Sequence, residues 1–181
     1  FIFTYMRKLK NTELNRKSIE EFKKADKTPA IVVLDNIRSI HNVGSIFRSS
    51  DSFLIKKLYI CGITATPENQ RMAKTALGST DSVDWEYIEK PKELIEKLER
   101  DNIIIVSVEQ ADKSIKIQDF NPLGKSEYAF IFGNEVDGVR EEFIKASKHV
   151  IEIPQVGTKH SLNVSVAAGI ILWYFFSKKE I

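Results

Sequence analysis

Residues with the means to do chemistry fall into three short stretches of this 181-residue chain. The first runs from Asp35 to Arg48 and holds Asn36, Arg38, His41, Asn42 and Gly44. Arg48 lies within Ser45-Ile46-Phe47-Arg48-Ser49-Ser50, an always-charged planar fork among small hydroxyls. That combination suits phosphate, although a purely structural arginine would look the same. Asn42 reads equally well as a helix cap, and Asn36 as a turn former. The second stretch, Phe132-Gly133-Asn134-Glu135-Val136-Asp137-Gly138-Val139, offers backbone that could approach a ligand closely at Gly133 and a tight turn at Gly138. Its two acidic residues would also suit a solvated turn. The third stretch runs from Ile153 to Val166. There Ser161 could cap a helix, while Asn163 and Ser165 would sit in the first turn of an otherwise apolar helix and need polar partners. Lys159 and His160 place positive charge beside that helix start, where the helix dipole disfavours it. A bound anion or ribose would resolve the conflict.

Several chemistries are excluded. The chain contains no Gly-x-Gly-x-x-Gly and no glycine-rich turn followed by Gly-Lys-Ser/Thr, so the two common nucleotide-binding loops are missing. His41, His149 and His160 show no ligand spacing, and no metal is expected. Cys61 is the single cysteine, which rules out an internal disulfide and a multi-thiolate zinc site and points to a reducing cytoplasm. Val164 to Phe176 is too short for a bilayer span. Phe1 to Tyr5 lacks the flank and length of a signal peptide, and Met6 is a candidate start. The net charge is only +2 but unevenly spread. Residues 1–29 hold eight Lys/Arg against four Asp/Glu, and the remainder carries a balance of −2. A basic arm over residues 1–28 followed by a nearly neutral domain over 29–181 suits a polyanionic partner, or simply a solvated helix face.

The elements that must position these stretches alternate between strand and helix. Residues 11–25 carry a weak amphipathic helical pattern, so the arm is expected to be helical. Continuous apolar runs at 30–34, 58–61, 103–106, 128–132 and 150–153 read as buried parallel strands. Alternation at Val83, Trp85 and Tyr87 reads as a half-exposed strand. Helices are expected over 43–53, 69–77, 92–100 after Pro91, 141–147 and 162–176. This order predicts an α/β fold, a mainly parallel sheet with helices on both faces. Ligands in such sheets bind beyond the carboxyl ends of strands, which selects the loops after Leu34, Val106, Phe132 and Ile153.

Together the three stretches resemble the motifs of the SpoU/TrmH branch of the SPOUT RNA methyltransferases. Asn42-Val43-Gly44-Ser45-Ile46-Phe47-Arg48 matches Asn-x-Gly-x-x-x-Arg, Phe132 to Gly138 matches Phe-Gly-x-Glu-x-x-Gly, and Ile153-Pro154 with Ser161 to Ser165 matches Ile-Pro followed by Ser-Leu-Asn-Val-Ser. The resemblance covers residues 30–177 and implies a SPOUT fold with a deep trefoil knot in its C-terminal part, a feature that general topology rules disfavour. It also implies a homodimer whose active site forms at the subunit interface. The implied cofactor is S-adenosylmethionine, gripped at Gly133, Ile153 and Leu162, with Ser107, Val108 and Glu109 nearby. The implied reaction is methyl transfer to a ribose 2′-hydroxyl of RNA, with Arg48 as the catalytic arginine and Asn42, Glu135, Ser161 and Asn163 completing the site. Arg38, His41, Lys159 and His160 would contact RNA alongside the arm. The short arm leans towards transfer RNA, with ribosomal RNA as the alternative, and a non-catalytic RNA-binding module is the remaining reading.

Overall fold

A computed structural model describes residues 6–122, 124 and 126–178. Its strands form one seven-stranded sheet, every pairing of which is parallel. The strands are β1 (Thr28–Asp35), β2 (Ile55–Cys61), β3 (Trp85–Ile88), β4 (Ile104–Val108), β5 (Ile115–Lys116), β6 (Tyr128–Phe132) and β7 (His149–Glu152), in spatial order β3-β2-β1-β6-β4-β7-β5. The continuous apolar runs of β1 and β6 are buried along nearly their whole length, as strands covered on both faces must be.

Strand alternation divides the core in two. Val32, Leu34, Leu58, Ile60, Val106, Phe130 and Phe132 face one side and pack under α2 (Ile40–Ser52) and α7 (Val164–Lys178). Ile31, Val33, Tyr59, Ile105, Ala129 and Ile131 face the other, under α5 (Pro91–Arg100) and α6 (Glu141–Ala146). Helices therefore cover both faces. Phe175 of α7 meets Phe130 edge-on at 5.1 Å and Tyr128 at 5.3 Å between ring centroids, geometry that adds to simple area burial. The helices α2 and α7 run side by side and parallel. Asn42 meets Asn163 at their N-terminal ends, a Cβ on Gly169 would lie 4.0 Å from Ser49 Oγ, and Phe53 and Phe176 meet as tilted rings at 5.5 Å where the helices end.

Some expectations need correction. The arm does not form one helix over 11–25. It forms a single 3₁₀ turn at Asn11–Glu13 and then the short α1 (Ile19–Lys24). Asn15 takes a left-handed conformation with φ 45°, which breaks the run, and Ser18 restarts it through a capping box with Glu21. The expected helix over 69–77 is a 3₁₀ turn plus α3 (Ala73–Ala76), followed by α4 (Ser79–Ser82). Left-handed Leu77 and Gly78 separate those two. The cap of α2 is Ser39, whose side chain accepts from the Asn42 N–H, so Asn42 is free for other work. The cap of α7 is Asn163 rather than Ser161, for Asn163 Oδ1 accepts from the N–H groups of Ser165 and Val166. No helix among the described residues is long and apolar enough to cross a membrane.

Candidate active site

The carboxyl ends of the adjacent strands β6, β4 and β7 open into a pocket of about 560 Å³, where parallel sheets place their ligands. Val108, Glu109 and Gln110 form one wall, Phe132 to Gly138 a second, and Glu152, Ile153 and Gln155 with His160 to Val164 a third. Gly133, Glu135, Ser161 and Asn163 all line it, as do Ile153, Leu162, Val108 and Glu109.

The second loop is folded tightly on itself. A Cβ at Gly133 would lie 2.2 Å from the backbone of Gly138 and Val139, and one at Gly138 (φ 71°) would lie 2.3 Å from the Glu109 carboxylate. Both glycines are thus required by close approach within the protein. Glu109 accepts hydrogen bonds from the N–H groups of Val139 and Gln110, tying the end of β4 to that loop. The Gln110 amide in turn donates to the His160 carbonyl at 2.8 Å, which fixes the third loop.

Three side chains from distant parts of the chain meet at the pocket mouth. Asn42 Nδ2 donates to Glu135 Oε1 at 3.0 Å, and Asn42 Oδ1 accepts from Asn163 Nδ2 at 3.1 Å. Glu135 also accepts from the N–H groups of Arg38 and Ser39. Burial pushes the Glu135 carboxyl up, but these donors outweigh it and hold the group below the usual carboxylate range.

Beneath this seam lies a second tie that the sequence reading did not single out. Asp35, fully buried at the end of β1, accepts from Arg140 N–H at 2.9 Å and from Arg140 Nε at 2.6 Å. Burial raises the Asp35 carboxyl above its ordinary value, against the pull of Arg140. The same guanidinium donates to Cys61 Sγ at 3.2 Å, and burial pushes that thiol up to about 11. Asn134 adds a bond to the Asn36 carbonyl. An aspartate closing an apolar strand run was the signal that could have found this tie.

Other expected site residues lie elsewhere. Ser107 turns away from the pocket because strand alternation points it at α6, where its Oγ bonds Ser147 Oγ at 2.8 Å. Arg38, His41 and Lys159 are exposed and do not line the pocket. Arg48 is exposed and lines a different cleft, beside the arm. Six residues along a helix amount to about 9 Å of rise and about 600° of turn, which leaves the two side chains about 120° apart, so α2 aims Asn42 and Arg48 in different directions.

The model of the SpoU rRNA methylase family matches residues 29–173, the span that contains all three loops. The chain belongs to this family. Its likeness to other SpoU members is broad. It is 30% identical to a tRNA (guanosine(18)-2′-O)-methyltransferase of Aquifex aeolicus, over 93% of this chain and 78% of that protein. It is 28% identical to the 23S rRNA (guanosine-2′-O-)-methyltransferase RlmB of Vibrio parahaemolyticus, over 89% of this chain but 64% of that one. The chain likewise spans only 56% of the RlmB of Neisseria meningitidis. Among solved structures, the Aquifex aeolicus TrmH/SpoU tRNA modifying enzyme superposes with a TM-score of 0.76 at 26% identity, covering 88% of this chain and 80% of that one. The SpoU methyltransferase AviRb of Streptomyces viridochromogenes, solved in complex with AdoMet, shares the fold with a TM-score of 0.76 at 23% identity, covering 86% and 60% of the two chains. The alternating strand and helix pattern predicts a mainly parallel α/β sheet, which is the sheet found, and the likeness to SpoU structures is the one the three motifs imply.

Proposed function

We propose that this SpoU-family chain is an S-adenosylmethionine-dependent methyltransferase acting on a ribose 2′-hydroxyl of RNA as a cytoplasmic homodimer. The observation that carries the reading is the Asn42–Glu135–Asn163 seam at the mouth of the strand-end pocket.

The pocket suits the cofactor. Glu109, Glu135, Asp137 and Glu152 line it, and no Lys or Arg does among the described residues. That excess of carboxylates favours a ligand with positive charge on sulfur and nitrogen. Phe132, Ile153, Leu162 and Val164 supply apolar surface for a flat base. Bound there, S-adenosylmethionine supplies an activated methyl group. The residues of this chain do the rest. Gly133 to Gly138 and His160 to Asn163, held by Glu109 and Gln110, shape the wall. Asn42 and Asn163 are the groups placed to orient a ribose at the mouth, and Glu135 holds both the α2 start and Asn42 in register.

An acidic pocket repels an RNA backbone, so cations from outside it must steady the phosphates. Arg48 is such a cation. The exposed apolar stripe Val166, Ile170 and Trp173 runs along α7, beside α2, and in a symmetric pair across that stripe Arg48 would be offered to the partner's pocket. A guanidinium is a poor proton acceptor, so its work there is to hold phosphate and stabilise the developing alkoxide, with water or a neighbour taking the proton. Transfer RNA is the favoured substrate because the tRNA-modifying relative is matched over 78% of its length. Ribosomal RNA is the second reading, supported by the RlmB relatives. The trefoil knot accords with the likeness to SpoU structures and with the insertion of β6 between β1 and β4.

The test is calorimetry with S-adenosylmethionine, then methyl incorporation into total RNA with mapping of 2′-O-methyl sites. Saturable binding and new ribose methylation are expected. Methylation confined to bases, or no cofactor binding, would overturn the reading. Arg48→Lys is expected to lose most turnover while retaining RNA affinity, and near-normal turnover would remove the guanidinium role.

A further inference from the structure

A second cleft, of about 690 Å³, lies between the chain segment 14–22, the C-terminal half of α2 and the turn running from Ala76 through α4. Arg16, Lys17 and Arg48 line it. None of the three makes an ion pair or a side-chain hydrogen bond among the described residues. Elsewhere the cations near carboxylates are engaged: Arg7 with Glu13, Lys57 and Lys97 with Glu86, Arg140 with Asp35. Of the two carboxylates in the cleft, Asp51 already accepts from the Ser82 hydroxyl. The floor and rim also present Leu14, Ile19 and Leu77 to solvent, Leu77 at 64% exposure, far more than a leucine at an ordinary packed turn. Unpaired cations interleaved with exposed aliphatic surface match the two chemistries of an RNA strand, anionic phosphates and apolar base and sugar faces.

We infer that this cleft binds the phosphodiester backbone of the RNA substrate, with Arg16 and Lys17 as phosphate contacts beside the target nucleotide. The inference rests on the proposed function, which already assigns Arg48 to the substrate, and it adds the track by which RNA reaches that residue. Two features favour RNA over an acidic peptide. Arg48 belongs to the cleft and to the methyltransferase motif at once, and α2 carries it alongside the apolar stripe of α7. A strand lying in the cleft would thus reach Arg48, the residue the proposed function gives to the substrate. The strand-end pocket, lined by four carboxylates, could not hold that backbone itself.

The test compares the full chain with Arg16→Ala/Lys17→Ala and with a charge-matched control, Lys92→Ala/Lys145→Ala, neither of which lines the cleft. Binding of a labelled single-stranded RNA of mixed sequence and of unfractionated transfer RNA is measured by fluorescence anisotropy across a salt series. Calorimetry reports S-adenosylmethionine affinity in parallel. The cleft variant is expected to bind RNA about tenfold more weakly, with a salt slope lowered by about 1 to 2. The control should change little, and cofactor affinity should be the same in all three proteins. Equal RNA affinity and slope in the cleft variant, or an equal loss in the control, would overturn the cleft as an RNA site. Displacement of RNA by poly-glutamate at matched charge would do the same, marking a general anion surface or an acidic-peptide site. If the unaltered protein binds cofactor but no RNA, the proposed function fails as well, an outcome distinct from RNA binding that ignores Arg16 and Lys17.

Discussion

At the scale of single residues, Glu135 joins three separate parts of the chain. Its carboxylate takes the N–H groups of Arg38 and Ser39 and the amide of Asn42, while Asn42 reaches Asn163. Glu135→Gln keeps the shape but weakens charge-assisted bonds, and S-adenosylmethionine affinity by calorimetry is expected to fall about tenfold. Because the folded carboxyl lies below its ordinary value, the clasp is fully present above about pH 4.3 and is lost as pH falls through the lower folded value. Cofactor affinity followed from pH 7 downward should therefore hold until the acid range, and a decline centred between pH 6 and 7 would contradict the assignment. The residue types at this seam were readable from their motifs. Their roles were not, because Asn42 in isolation satisfies every criterion of a helix cap. Only the chain's return 93 residues later, at Glu135, gives its amide another partner.

At the scale of elements, the loop after β6 is anchored at both ends, at its tip by Glu135 and at its base by Arg140 on Asp35. Removing Arg140 alone leaves a buried carboxylate without its cation. Arg140→Met is expected to cost about 3–5 kcal/mol, and the pair Asp35→Asn/Arg140→Met distinctly less. Urea denaturation of the two single variants and the pair, treated as a cycle, checks this. Helix α7 gives a parallel case: Phe175, 1% exposed and edge-on to Phe130 and Tyr128, should lose about 3–5 kcal/mol as Ala. The buried strands were legible because a sheet covered on both faces needs uninterrupted apolar runs, as 30–34 and 128–132 show. The two-residue β5 at the sheet edge was not, since Ile115 and Lys116 carry no such run and pair only with β7. The arm misled because Leu14, Ile19 and Phe22 fit a helical period, yet Leu14 and Ile19 stay exposed and only Phe22 is buried.

At the scale of the whole molecule, the exposed Trp173, at 58%, marks the face proposed to meet a second copy. Trp173→Glu should yield monomers in sedimentation and abolish methyl transfer while the fold, by circular dichroism, persists. If Arg48 serves the partner's pocket, mixing inactive Arg48→Ala with inactive Asn163→Ala should restore about a quarter of normal activity, because half the dimers then own one intact site. No recovery on mixing would place Arg48 in its own protomer's chemistry. The remaining glycine of the first motif acts at this scale too. A Cβ at Gly44 would lie 2.9 Å from the Met72 carbonyl and 2.2 Å from Thr75 Oγ1, so α2 and α3 touch there with no room for a methyl group. The wall of the second cleft continues directly from α3 through Leu77 and Gly78. One added carbon at position 44 would thus lever that wall outward from a point it does not include, changing the cleft's width while leaving its surface chemistry untouched.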